Sequence, residues 1–235
     1  MDAKTETLVP ALELARENPI RQVGESAPYR EARTALLAEE IELRRRIEKV
    51  AAQRRALPPG PEAKSAWRFV SASGETDLSG LFGDHETLIL HSYMFGPERQ
   101  RPCPMCTNML DGWDANAADV AQRASLAAVS RSSIEWLMAW KAERGWRHLT
   151  LVSDADGEFS RDVGALLPDG SESGVQTVFT RRDGKIRLFW ASEMWISTAD
   201  PGQDPRGAPD PAPLWNILDL TPEGRAPDWY PKLTY

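Results

Sequence analysis

The chain holds two cysteines, Cys103 and Cys106, and they stand two residues apart in the run Pro102-Cys103-Pro104-Met105-Cys106. A C-x-x-C pair can cycle between dithiol and disulfide. One sulfur attacks as a thiolate, and the other resolves the resulting mixed disulfide. A free cysteine ionises at about pH 8.5, and a helix N-terminus or a nearby cation brings that down to roughly 3.5–7.5. Proline at the first helical position gives up no donor that the helix needs, so Pro104 predicts a helix starting just after Cys103. Backbone N–H groups would then point at Cys103, and Arg99 and Arg101 would add positive charge. These features make Cys103 the expected nucleophile and Cys106, one turn further in, the resolving thiol. The plain alternative is a pair of inert, half-buried thiols.

Metal binding is the chemical rival. C-x-x-C is half of a tetrahedral zinc site, and the chain has no second pair. The histidines are His85, His91 and His148. Cys103, Cys106 and His91 could suit copper(I), a soft ion, with Met94, Met105 or Met109 as thioether donors. The plain reading of His91 is a core histidine with one hydrogen bond. Ser130-Arg131-Ser132-Ser133 could cradle an anion or simply cap a helix. Asp154, Asp156 and Glu158 match part of a calcium loop and equally a turn. Trp136 and Trp140 line a surface or fill the core. Neither a phosphate-cradling glycine loop nor a G-x-S-x-G run is present, and no cofactor is implied.

Composition narrows the class. The 235 residues are 41% apolar and 27% charged, which fits a globular protein of one large domain, or one domain with an added arm. The net charge of -7 argues against partners that need a basic surface, such as nucleic acid or anionic membrane. No segment approaches the roughly 20 apolar residues that span a bilayer. Met1 to Pro10 lacks the apolar core of a secretory signal. The cytoplasm is the expected compartment, where thiols are usually reduced.

The elements that must position the dithiol follow from periodicity. Residues 1–61 are expected to form an N-terminal segment with a long amphipathic helix over 29–57, and residues 62–235 a second domain with a proline-rich loop and tail. Leu36, Leu43, Ile47, Val50 and Leu57 recur along that helix at three- and four-residue steps. The stripe could pack on its own domain or form a homodimer arm. Strands are predicted over 67–70, 88–94, 126–130 and 149–153, with short helical character over 76–83. Helices are predicted from Pro104 to Val120 and from a capping box, Ser132-x-x-Glu135, to Arg144 before Gly145. Asp183-Gly184 between two apolar runs predicts a hairpin, and 214–220 reads as a last short helix. Alternating strands and helices, followed by a hairpin, give an α/β fold: a thioredoxin-like mixed sheet flanked by helices, with the long N-terminal helix as an added arm.

Three further stretches suggest a family. They are Tyr93-Met94-Phe95-Gly96-Pro97 ahead of the cysteines, Val129-Ser130-Arg131, and Leu218-Asp219-Leu220-Thr221-Pro222-Glu223-Gly224-Arg225. With them the chain resembles a bacterial thioredoxin-like group, domain-of-unknown-function family 899, over about residues 30–225. The resemblance implies a thioredoxin-like fold and brings no established substrate. Thioredoxins proper place a cis-proline directly before the hairpin, facing the cysteines. Here Gln176 is expected in that place, with a trans peptide, since a cis bond before a non-proline residue costs about 2.5–4 kcal/mol. That departure argues against ordinary protein-disulfide reduction and makes metal capture at the thiols easier. The expected function is thiol–disulfide exchange on a small disulfide, a peroxide or a protein. Metal handling and a binding module with a retired site are the alternatives.

Overall fold

The computed structural model describes residues 8–193 and 232–233. The chain divides into two compact units, residues 1–58 and 59–235. In the first, α1 (Ala11–Glu17) packs on α2 (Ala27–Arg55). Ser26 caps α2, accepting from Tyr29 N–H, and Pro28 occupies the first turn, so the helix starts two residues earlier than its proline-free run suggests. Ala11 and Ala15 of α1 are buried, whereas Leu37 and Ile41 of α2 are only half covered. The stripe read from the sequence stays open instead: Leu43 and Ile47 are each 60% exposed, with Leu36 and Val50 beside them.

The second unit is built on one seven-stranded sheet. Its strands are β1 (Arg68–Ser71), β2 (Gly74–Asp77), β3 (Thr87–Ser92), β4 (Ser125–Ser130), β5 (Thr150–Ser153), β6 (Gln176–Arg182) and β7 (Lys185–Ala191), in the order β2-β1-β5-β4-β3-β6-β7. β3, β4 and β5 are parallel, and both flanks are antiparallel. This is a thioredoxin-like mixed sheet. The central strands read as near-continuous apolar runs because both faces are covered. Leu88, Leu90, Ala127, Val129 and Val152 pack on one face with Phe69, Phe159 and Phe179. Ala128 and Leu151 pack on the other with helices α4 (Pro104–Val120) and α5 (Ile134–Arg144), through Leu110, Leu137 and Trp140.

Several local expectations change. Thr76 and Asp77 belong to β2, and only Leu78–Leu81 (α3) is helical, capped by Asp77 on Gly80 N–H. The cap of α5 is Ser133, not Ser132, so the predicted capping box is out of register by one. Ser132 is instead engaged with the backbone of residue 95. Asp154 is buried and accepts from the backbone N–H groups of Phe159 and Ser160 and from the Ser160 hydroxyl, which starts the short helix α6 (Glu158–Asp162). It therefore serves the turn rather than presenting a carboxylate to a cation. The hairpin forms as expected, with Asp183 and Gly184 both at positive φ, 53° and 70°, as a type I′ turn requires. The 200–213 loop, the 214–220 helix and the Leu218–Arg225 run lie outside the described residues.

Candidate active site at the Cys103–Cys106 dithiol

Cys103 is the N-cap of α4, and Pro104 fills its first turn. Both cysteines are free thiols, 3.7 Å apart, with Cys103 partly exposed and Cys106 buried. The Cys106 thiol and the backbone N–H groups of Cys106 and Met105 lie near the Cys103 sulfur without closing a capping hydrogen bond, and Arg99 is nearby. These donors outweigh partial burial and bring Cys103 from the ordinary value of 9.0 down to about 6. Cys106 moves the other way. Its hydrogen bond to Cys103, its burial and the adjacent negative sulfur all hold it protonated. Of the two cations expected at the site, Arg99 acts on the pair. Arg101 lies over the Trp140 ring, 4.7 Å from its centre, and pairs with Glu143 at 2.9 Å.

The approach to the cysteines is pinned at several backbone atoms. Cys103 N–H donates to the Met94 carbonyl at 3.0 Å. The Phe95 carbonyl accepts from the hydroxyls of both Ser130 and Ser132, at 2.7 and 2.5 Å. Those serines, read as anion ligands or caps, are therefore spent on the loop. Gly96 N–H and the Arg99 side chain both donate to Glu172, at 3.1 and 2.8 Å. A β-carbon at residue 96 would force the Glu172 carboxylate to shift.

A directional hydrogen-bond chain supports the start of α4. Trp140 Nε1–H donates to the Tyr93 hydroxyl at 2.8 Å. The Thr107 hydroxyl donates to the Cys103 carbonyl at 2.9 Å, so its lone pair must take the Tyr93 proton across 2.7 Å. Burial keeps Tyr93 protonated and hence a donor. Farther along, Asp111 of α4 accepts from Arg144 and Trp146, and Asp114 accepts three successive N–H groups, from Arg147 to Leu149.

His91 lies behind the pair on β3, 1% exposed. Its Nδ1 meets Gln176 Nε2 at 3.1 Å, and its Nε2 has no partner. It is a core histidine with one hydrogen bond. Among the described residues, no three of His, Cys, Asp or Glu gather to hold a metal ion, so the set of Cys103, Cys106 and His91 is not assembled as one. Gln176 does not face the cysteines as expected; its amide turns to His91 and Met109. The residue that faces them is Gly174, where a β-carbon would stand 3.3 Å from the Cys106 sulfur. No cis peptide occurs among the described residues. The sequence reading missed Gly174, Glu172 and Tyr93. A glycine two residues before a strand that faces C-x-x-C was the one available signal. Of the paired tryptophans, Trp140 is core and Trp136 is 55% exposed.

A thioredoxin-like sheet carrying a C-x-x-C dithiol at a helix start defines the class. The chain belongs to the family described as bacterial protein of unknown function (DUF899), whose profile matches residues 19–235. Comparison with curated proteins finds no match. Solved structures similar to this chain include peroxiredoxins. A cysteine-to-serine mutant of peroxiredoxin Q from Xylella fastidiosa is 16% identical, with a TM-score of 0.46 over 57% of this chain and 84% of that one. A reduced peroxiredoxin from Vibrio vulnificus in complex with hydrogen peroxide is 13% identical, with a TM-score of 0.44 over 61% and 92%. A peroxidoxin from Mycobacterium tuberculosis is 21% identical, with a TM-score of 0.43 over 55% and 82%. No helix among the described residues is long and apolar enough to cross a membrane.

Proposed function

We propose that the chain is a thiol–disulfide oxidoreductase that works with Cys103 and Cys106 and no cofactor, in the cytoplasm, on a small disulfide, a peroxide or a protein. The observation that carries this reading is a pair of free thiols 3.7 Å apart at the start of α4, with the Cys103 sulfur partly exposed and the Cys106 sulfur buried behind it. Such an arrangement favours a thiolate at Cys103 near neutral pH. The thiolate attacks the oxidised atom of the substrate, forming a Cys103 adduct and expelling the first leaving group. Cys106 then attacks Cys103. The intramolecular disulfide forms, the adduct bond breaks, and the Cys106 proton leaves with the departing group. The two electrons given up by the dithiol reside in the reduced substrate. An external thiol closes the cycle.

The test is a thiol count after a stoichiometric mild oxidant, either oxidised glutathione or hydrogen peroxide. Both thiols should disappear without intermolecular cross-links. Cys106→Ser should trap an adduct on Cys103, visible by mass. Retention of both thiols in the folded wild type would overturn the reading.

A further inference from the structure

The proposed cycle leaves one step without an evident helper. After Cys103 has reacted, its sulfur is neutral, and Cys106 must ionise in a buried setting that opposes charge. We infer that His91 is the donor for this step: a neutral imidazole whose Nε2–H hydrogen-bonds the Cys106 sulfur as it becomes a thiolate. The inference rests on the dithiol reading above.

Three observations converge on it. His91 Nε2 is fully buried and has no partner, which is rare for such a group. The Gln176 amide N–H meets the opposite nitrogen, Nδ1, so the imidazole proton resides on Nε2. The Cys106 sulfur and the Cε1–Nε2 edge of His91 also converge on one spot. All three atoms lie within 4 Å of the point a β-carbon on Gly174 would occupy. Glycine keeps a β-carbon out of that spot, and in the resting dithiol Nε2 does not yet hydrogen-bond the sulfur. The groups against the ring are Gln176 and Met109 (through the Gln176 amide), Trp113 at 5.9 Å between ring centres, and Cys106 across Gly174. Burial favours the neutral imidazole, so His91 donates a hydrogen bond without removing the proton. The Cys106 proton leaves with the departing group. The disulfide bond forms, and the bond from Cys103 to the adduct breaks with its electron pair going to that group.

Ellman's reagent separates the steps. Its first thionitrobenzoate is released when Cys103 attacks, and its second when Cys106 resolves the adduct. His91→Phe keeps a planar ring and loses the donor. Gly174→Ala keeps His91 and places a methyl between ring and sulfur. Both should slow the second phase about tenfold and move its pH inflection upward, with a smaller effect on the first phase. His91→Gln, which retains a side-chain N–H, should recover part of the loss. Gly174→Ala carries the test if the ring replacement fails to fold. A second phase within twofold of wild type in the folded variants, or equal slowing of both phases, overturns the role of His91. Absence of a second phase in the wild type overturns the dithiol reading instead.

Discussion

Ionisation of Cys103 is the most direct quantity to measure. Its folded value of about 6 lies three units below the ordinary 9.0. At pH 7 about nine-tenths of Cys103 is thiolate, against roughly one-hundredth of an unperturbed thiol, a gain of about 90-fold. Intrinsic nucleophilicity falls with pKa at a Brønsted slope of about 0.4–0.5, so three units cost about 15–30-fold. Cys103 should therefore react with a small disulfide at pH 7 only about 3–6 times faster than a free thiol. The sharper signature is the profile: the rate should level off above about pH 7, where a free thiol keeps gaining until about pH 9. Stopped-flow with Ellman's reagent and thiolate absorbance near 240 nm both report it. Cys106→Ala removes the largest of the lowering interactions and should raise the inflection by a unit or more. Arg99→Gln should raise it less, because Arg99 is the weakest contributor and shares its charge with Glu172. A wild-type inflection at or above about 8.5, or one unmoved by Cys106→Ala, refutes the argument.

Three other outcomes are expected. Burial lowers His91 from 6.5 to about 3, so the unfolded chain binds a proton there that the folded chain refuses. Stability should fall as pH drops from 6.5 toward 3, by about 4–5 kcal/mol over the whole window, and His91→Phe should flatten this slope in urea titrations at successive pH values. Tyr93→Phe leaves Trp140 Nε1 without its acceptor and Thr107 Oγ1 without its donor, and should cost about 1–3 kcal/mol in denaturant unfolding. Were both groups to find other partners, the loss would be under about 0.5 kcal/mol. The open stripe of α2 is expected to bury against a second copy. Leu43→Lys with Ile47→Lys should then convert a dimer to a monomer in sedimentation, and a wild-type monomer at all concentrations refutes it.

The sequence carried the frame of the site well because local rules govern it. Pro104 and the spacing of Cys106, Leu110 and Ala117 place α4 without help from the rest of the chain, and Asp183-Gly184 selects the hairpin turn by itself. Cys103 and Cys106 needed nothing beyond their spacing. The misreadings come from contacts between distant segments. Whether Ser132 or Ser133 caps α5 is decided by Phe95, thirty-seven residues before Ser132, whose carbonyl claims the Ser132 hydroxyl. Gly174 and Gln176 were exchanged in role because only the register of β6 against β3, with Gln176 opposite His91, fixes which residue reaches the thiols. Glu172 looked like any surface acid until the fold set it against Gly96 and Arg99.

The anchored approach over Met94, Phe95 and Gly96 bears on how a redox cycle would be felt elsewhere. Met94 answers to α4, Phe95 to the end of β4 and the start of α5, and Gly96 to the loop before β6. A loop fastened to three separate parts of the fold has little freedom to open and shut. Oxidation of the pair would remain a change of a few sulfur and ring contacts, with the approach loop held in place. A client able to distinguish the two redox forms must read the surface at Cys103 itself. A sensor that signals by refolding a segment would need a different frame.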